Sequence, residues 1–132
     1  MAEPDRQPKG DLQVRTVAMP ADANPNGDIF GGWVLSQMDI AGGTAAGQRA
    51  NVRVATVAVD AMTFHKPVRI GDILCCYASL ERIGRTSLAY KIEAWAVAAG
   101  VYREERVLVT EGLYTFVAID AQGRPRPVDE GR

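Results

Sequence analysis

A single change of hydrophobic period divides this sequence of 132 residues and limits the folds open to it. From about Gly31 to Gln48, apolar side chains recur every three or four residues and no proline intervenes, which predicts one buried helix. Beyond Asn51 the period is two, and no second helical stretch follows. One helix must therefore cover the apolar face of the sheet that the later segments form.

Five stretches alternate in the way that is typical of strands. One of them, DLQVRTVAMP, precedes the helix and stops at Pro20, and the other four follow it at residues 52–65, 73–83, 86–99 and 105–120. This order predicts an α+β hot-dog fold, in which an antiparallel sheet wraps around one central helix. A ferredoxin-like sandwich is the alternative, but that fold needs a second helix between the later strands.

Length and charge bound the domain organisation and the class of partner. A chain of this size suits one domain, expected at residues 11–120. Residues 1–10 and 121–132 are polar and rich in proline, glycine and charge, so we expect a loose N-terminal segment and a loose C-terminal tail. The net charge of −1 disfavours nucleic acid as a partner. No apolar run approaches the roughly 20 residues of a membrane span, and the segment MAEPDRQPKG lacks the apolar region that is typical of a secretory signal, so a cytoplasmic location is expected.

Three motifs together resemble a known family. The stretch from NGDIFGGW to QMD, the segment MTFHKPVRIGD and the segment FVAIDAQGRPRPV are similar to the YciA-type acyl-CoA thioesterases of the hot-dog superfamily, and the likeness spans roughly residues 10–128. The resemblance implies hydrolysis of acyl-CoA to free acid and CoA. It also implies a homo-oligomer, at least a dimer and commonly a trimer of dimers, with active sites between paired subunits.

Asp39 is the candidate for the chemistry of thioester hydrolysis, which needs an activated water. It stands between Met38 and Ile40 on the predicted helix, and Gly42 and Gly43 follow one turn later. A carboxylate partly removed from water is an effective base near neutral pH. Glycines three and four residues away would leave an open face beside it. Asp39 is thus predicted to act as general base or nucleophile, and a surface aspartate is the alternative.

The start of the helix offers donors for the oxyanion that develops during hydrolysis. Gly31 and Gly32 are expected to present the first helical amides, which lack partners inside the helix and carry the positive end of its dipole. A merely flexible helix start is the alternative. Asp28 is a possible capping residue. The resemblance implies that Asn24 reaches the partner subunit's site; an ordinary turn asparagine is the alternative, and Asn26 is a substitute for the same role.

The phosphates of CoA need cations near the mouth of the site. The segment RIGRTS supplies Arg85 as a phosphate ligand, with Thr86 and Ser87 as polar contacts, and Lys66 and Arg82 are secondary candidates. A solvated hairpin tip is an equal alternative. CoA belongs to the substrate and product, so no cofactor is expected.

The remaining reactive side chains indicate no other chemistry. Adjacent Cys75 and Cys76 would point to opposite faces of a strand and have no metal-ligand spacing. The single histidine, His65, is predicted to be a strand-end residue, whereas hot-dog dehydratases carry their histidine in the segment that leads into the helix. No metal site, Walker loop or G-x-S-x-G elbow is indicated.

Two further questions concern activity and acyl length. A non-catalytic acyl-CoA-binding hot-dog module remains the alternative to a thioesterase. The run of small residues AGGTAAGQRA predicts a wide or long acyl channel beside the helix, with Ala45 as a candidate lining residue.

Overall fold

The order of elements in the computed structural model, which describes residues 6–100 and 105–129, follows the predicted order. The elements are β1 (Asp11–Val17), a 3₁₀ turn (Pro20–Asp22), α1 (Gly31–Ala50), β2 (Val54–Phe64), β3 (Ile73–Ile83), β4 (Ser87–Val97) and β5 (Val107–Ala118). The helix runs two residues past the predicted end and stops at Asn51, which adopts the left-handed conformation that ends many helices.

The strands form one antiparallel sheet in the order β1-β3-β4-β5-β2, and α1 contacts all five of them. The predicted hot-dog arrangement is therefore confirmed. Both β1 and β2 lie at edges, so each leaves one row of backbone groups without a neighbouring strand in the single chain. The β2 edge carries the exposed apolar side chains Val57 and Val59.

The main core lies between α1 and the inner face of the sheet. Met38 and Ala41 of the helix pack there with Phe116 and other apolar side chains. Two tyrosine hydroxyls tie the layers together: Tyr114 donates to the Leu35 carbonyl at 2.9 Å, and a second bond joins β4 to the helix. Burial, together with the nearby charge of Asp39, raises the pKa of the Tyr114 hydroxyl.

A smaller apolar cluster covers the outer face of the sheet. It contains Cys75, Tyr77, Trp95 and Leu108, whereas Cys76 belongs to the main core. The prediction that the two cysteines occupy opposite faces of a strand is confirmed. Burial raises the pKa of the Cys76 thiol to about 12, so this thiol is unreactive near neutral pH.

The sequence predicts loose ends, whereas the described parts of both ends pack against the domain. Arg6 bonds to Glu93 and Glu111 on the outer face. Near the other end, Val128 is buried and its amide donates to the Arg85 carbonyl at 2.9 Å. An ion pair to a buried carboxylate and a buried valine hold these segments in place, and neither contact can be read from local composition. Residues 1–5 and 130–132 lie outside the described ranges.

Among the described residues, no helix is both long enough and apolar enough to cross a membrane.

Candidate active site

Asp39 lies on α1, half-buried, and is held by a residue of the neighbouring edge strand. The Thr56 hydroxyl on β2 donates to Asp39 Oδ1 at 2.6 Å. A hydrogen bond to an ionised carboxylate is short and strong, so it fixes the orientation of the group. The other oxygen, Oδ2, has no hydrogen-bond partner among the described residues. The carboxylate is therefore oriented through one oxygen and free to act through the other.

Sequence reasoning missed Thr56. The one feature of the sequence that could have indicated it is a hydroxyl residue on the first strand after the helix, six residues beyond the helix end. Its contact with Asp39 depends on how β2 is placed against α1. The irregular register of β2 near Thr56, where the pairing with β5 shifts, is not readable from the alternation of side chains.

The prediction that Gly42 and Gly43 leave an open face beside Asp39 is wrong for Gly42, whereas Gly43 does border open space. A Cβ atom at Gly42 would lie 2.6 Å from the ring of Phe116 and 3.1 Å from Ile92 Cδ1, so this glycine lets the helix approach the sheet closely. Gly43, four residues after Asp39, borders a surface groove of about 470 Å³. Ala45 does not line that groove, because it packs against the core.

The helix start has the free amides that an oxyanion site requires. Phe30 is the N-cap residue and its carbonyl accepts from Trp33 and Val34, so the amides of Gly31 and Gly32 precede the first intrahelical donors. Both glycines are exposed, and a side chain at Gly32 would meet no atom within 4 Å.

The possible capping role of Asp28 is wrong. No side chain caps α1, and the N-cap position belongs to Phe30. Asp28 instead pairs through its backbone with Arg69, in the connection between β2 and β3.

Asn24 organises the loop before the helix. Its Oδ1 accepts from the amides of Asn26 and Asp28 at 2.9 and 3.1 Å, and its own amide donates to the Asp28 carbonyl at 2.7 Å. This is the geometry of a turn asparagine. It also leaves the Nδ2 group without a partner among the described residues, so Asn24 can still donate to a ligand or to another subunit.

The predicted oxyanion donors and the predicted base lie at different positions along the same helix. Asp39 follows Gly32 by seven positions on the helix, which corresponds to about 10 Å along the helix axis at 1.5 Å per residue. An oxyanion donor and a base that activates water must both reach the same carbonyl group at about 3 Å. The single subunit therefore does not bring the first helical amides and the Asp39 carboxylate to one thioester.

The predicted CoA contacts lie at two ends of the sheet. Arg85, Thr86 and Ser87 form the hairpin between β3 and β4, whereas Lys66 follows β2. The 11 residues of β4 separate these ends, and at about 3.3 Å per residue the separation is on the order of 30 Å. One subunit does not bring these candidates together.

Lys66 has a neighbour that the sequence did not single out. It lines a cavity of about 380 Å³ with Arg69, and neither side chain has an ion-pair partner among the described residues. The cavity lies next to the loop before the helix, because Ile29 donates to the Val68 carbonyl at 2.9 Å. Arg82, the other secondary candidate, is exposed near the end of β3.

His65 directly follows β2, so the prediction of a strand-end residue is confirmed. Its Nε2 lies 2.9 Å from Glu111 Oε2. Glu111 also accepts hydrogen bonds from Arg6 and lies within 3.0 Å of the Lys91 ammonium. The Arg6 bond, helped by Lys91 and His65 and opposed by burial, lowers the pKa of Glu111 to about 2. Within the described ranges, no three His, Cys, Asp or Glu side chains cluster as metal ligands.

Comparison with known proteins places these residues in a family. The model of the thioesterase superfamily matches residues 26–102. The chain is 49% identical over 129 residues to the acyl-CoA thioester hydrolase YciA of Salmonella typhimurium, covering 97% of both chains. It is 51% identical over 120 residues to the protein of the same name from Escherichia coli K12, covering 90% of this chain and 91% of the relative.

A solved structure agrees with these sequence relatives. The hexameric thioesterase y2039 from Yersinia pestis matches with a TM-score of 0.88 and 49% identity, over 92% of this chain and 98% of that one. A sheet wrapped on one helix, an oriented carboxylate in that helix and near-complete sequence coverage agree in one assignment. The chain belongs to the YciA-type acyl-CoA thioester hydrolases of the thioesterase superfamily.

Proposed function

We propose that this chain hydrolyses acyl-CoA thioesters to free acid and CoA, and that Asp39 is the catalytic carboxylate. One observation carries the assignment of the residue: Thr56 holds Oδ1 of Asp39 at 2.6 Å, and Oδ2 has no partner within the described part of the chain. The relatives from Salmonella typhimurium and Escherichia coli, which cover nearly the whole chain, are named acyl-CoA thioester hydrolases.

The chemistry follows from the free oxygen. As general base, Oδ2 takes a proton from water while the water oxygen attacks the thioester carbon. The tetrahedral oxyanion then collapses, the carbon–sulfur bond breaks, and the CoA thiolate leaves and is protonated. In the alternative route, Oδ2 attacks the carbon itself, the carbon–sulfur bond breaks with loss of the CoA thiolate, and water then hydrolyses the resulting anhydride to free acid and the Asp39 carboxylate. Both routes consume only water and need no cofactor.

The site proposed here is shared between two subunits. The roughly 10 Å between Gly32 and Asp39 prevents one helix from supplying both donor and base. Asn24 and the first helical amides lie at the Phe64 end of β2, since a Cβ at Gly31 would lie 3.6 Å from the Phe64 ring. Donors from one subunit would therefore act with the carboxylate of another.

The β2 edge is the surface proposed for pairing. It exposes Val57 and Val59 beside Thr56, and a second copy would cover its unpaired backbone groups. Twofold antiparallel pairing of two β2 strands places the Phe64 end of one strand beside the Val54 end of the other. Asn24 of one subunit thus approaches Asp39 of its partner. The Yersinia pestis relative is hexameric, and we infer a dimer as the minimum unit, with a trimer of dimers as the full assembly.

The same pairing brings the separated CoA candidates to one place. The Lys66 end of one sheet comes alongside the Arg85 end of its partner. We infer that the CoA phosphates lie near Lys66 and Arg69 of one subunit, and that Arg85, Thr86 and Ser87 of the other flank the same cleft.

The first test replaces Asp39 with asparagine, which keeps the size of the side chain and removes the base. Release of free CoA thiol should fall by about 10² to 10⁴, while the melting temperature stays close to that of the original protein. Asp11→Asn, an exposed aspartate on β1, is the matched control. A folded Asp39→Asn protein with near-normal kcat would remove this residue from the chemistry. Binding of acyl-CoA without thiol release by the unmodified protein would instead indicate a binding module.

Complementation tests the shared site. Asn24→Ala and Asp39→Asn homodimers should each be nearly inactive. A heterodimer has one site with both defects and one with neither, so a random mixture should recover roughly a quarter of the original activity if about half of the dimers are mixed. Mass spectrometry must verify the mixed dimers. A mixture as inactive as its parents, with mixed dimers present, would contradict the shared site for this pair.

A further inference from the structure

Asp39, Gly43 and Gly47 form one row along the surface of α1, because residues four apart share a helix face. The groove of about 470 Å³ lies along this row. Four apolar side chains line it: Ile40 from the helix, Val52 and Val54 before and within β2, and Ile119 after β5; Thr44 and Arg53 are its polar lining residues. The groove therefore begins one turn from the proposed catalytic carboxylate.

Packing explains one of the neighbouring glycines and not the other two. A Cβ at Gly42 would collide with the Phe116 ring, so the fold requires glycine there. A Cβ at Gly43 would lie 3.8 Å from that ring, and one at Gly47 would lie 3.7 Å from the Val52 carbonyl oxygen. Both are ordinary contact distances, and neither residue has a positive φ. Glycine is the least favourable residue inside a helix after proline, so the fold alone gives no reason for either.

We propose that this groove receives the acyl chain of the substrate, and that Gly43 and Gly47 keep it open. The inference rests on the proposed function, because it takes Asp39 as the point where the thioester carbon lies. From Asp39, Gly43 is about 6 Å and Gly47 about 12 Å along the helix axis. An acyl chain that starts at the carboxylate can run along this row and place its methylene groups against the four apolar wall residues.

The length of the row from Asp39 to Gly47 and the lining of the groove indicate which acyl groups fit. The groove is open and mostly apolar, and it carries no acidic side chain among its lining residues. Its one cation, Arg53, donates to the Asp120 carbonyl at 3.2 Å. Medium-length or branched apolar acyl groups therefore fit better than acetyl, which is too short to reach Gly43.

Leucine substitutions at the two glycines test the proposal, because they fill the groove at different depths. Gly43→Leu should lower kcat/KM from the four-carbon acyl-CoA upward, whereas Gly47→Leu should affect only longer chains such as the eight- and ten-carbon ones. In Gly47→Leu the ratio of long-chain to short-chain kcat/KM should fall about tenfold or more. Gln48→Leu adds the same side chain on an exposed neighbouring position and should leave the ratio unchanged.

Binding of non-hydrolysable thioether analogues separates this proposal from the proposed function. Calorimetry over the same chain lengths should show the same dependence on Gly43 and Gly47 whether or not the protein turns substrate over. If hydrolysis is observed but neither leucine variant changes the length profile, the groove does not hold the acyl chain. If either variant changes the subunit number in light scattering and loses all chain lengths equally, the groove is a subunit contact, which also overturns the proposal.

Discussion

At the scale of single residues, the contact between Thr56 and Asp39 distinguishes an oriented carboxylate from a merely exposed one. The hydroxyl lies on an exposed edge strand, yet its bond of 2.6 Å reaches a half-buried helix residue. Threonine is stiff at χ1 because it is branched at Cβ. The strand therefore holds the hydroxyl in place, and the hydrogen bond restricts the orientation of the carboxylate.

Thr56→Val should lower kcat by about 10- to 100-fold, since hydrogen bonds to charged groups contribute about 1.5–3 kcal/mol. KM should change little, because the hydroxyl contacts Asp39 and not CoA. Thr56→Ser keeps the hydroxyl and should restore most of the rate. Thr63→Val, on the exposed part of the same strand, is the control. Equal losses in the valine and serine variants would indicate a packing role instead.

Lys66 and Arg85 can be distinguished through substrate affinity. Lys66→Ala should raise KM for acyl-CoA severalfold, leave kcat nearly unchanged, and weaken the dependence of KM on salt, because exposed charge pairs are screened by ions. Arg85→Ala measured in the same way reports on the other end of the sheet. Unchanged KM in the Lys66 variant would place the phosphates away from the cavity that this residue shares with Arg69.

At the scale of the elements, α1 packs closely against the sheet because Gly42 has no side chain. Gly42 lets Phe116 approach the helix backbone, and Phe116 is buried to 1% exposure. A methyl group at this position would lie 2.6 Å from the Phe116 ring, so this buried ring would have to move. The neighbouring Gly43 has no such constraint.

Gly42→Ala and Gly43→Ala should therefore change stability in opposite directions. At Gly43, alanine should stabilise the helix by up to about 1 kcal/mol. At Gly42 the same gain is opposed by an overpacking cost of about 1–3 kcal/mol. Thermal and urea unfolding at one fixed protein concentration, needed because assembly contributes to stability, would measure the difference. Equal shifts in the two variants would contradict the tight approach of Phe116.

At the scale of the whole molecule, the two faces of the sheet make different contacts. The inner face packs on α1, while the outer face carries an apolar cluster and a network of charges centred on Glu93 and Glu111. The β2 edge exposes the apolar side chains Val57 and Val59 next to the proposed site.

Val59→Lys should test that edge. A lysine on an edge strand opposes pairing with another strand, so light scattering should show smaller assemblies and thiol release should fall with them. Gln122→Lys adds the same charge in an exposed turn and should change neither. Loss of assembly with full activity would mean that each subunit holds a complete site.

Acid stability should depend on Glu111. Its pKa is about 2 in the folded chain against an ordinary value of 4.5. Since the folded pKa is the lower one, the stabilisation is complete above about pH 4.5 and is lost as pH falls toward 2. The melting temperature of Glu111→Gln should thus fall less steeply than that of the original protein across this window. Glu81→Gln, whose carboxylate is more exposed and pairs with Lys9 at 3.7 Å, should follow the original curve.

The change of period near Asn51 was enough to predict the fold, because one helix and five alternating strands leave few other arrangements. The position of Asp39 on the helix was also predictable, as a charged residue inside an apolar helical stretch, while its catalytic role stays a proposal. Its bond to Thr56 was not, since it depends on strand placement and on an irregular register. The prediction for Gly42 was wrong for the same reason. The sequence shows that this position has no side chain, but it does not show that the Phe116 ring occupies the space.

The contact between Arg6 and Glu93 has a consequence for proteolysis. Glu93 is 2% exposed, and it receives bonds from the Arg6 side chain and the Lys9 amide. A protease that trimmed the chain to Asp11 would remove both of these donors and leave the bond from Trp95 Nε1 at 3.0 Å, and a buried carboxylate that loses its cationic partner is strongly destabilising. Shortened forms should therefore unfold and be degraded further instead of accumulating, so the stability of the whole domain depends on the segment that carries Arg6 and Lys9.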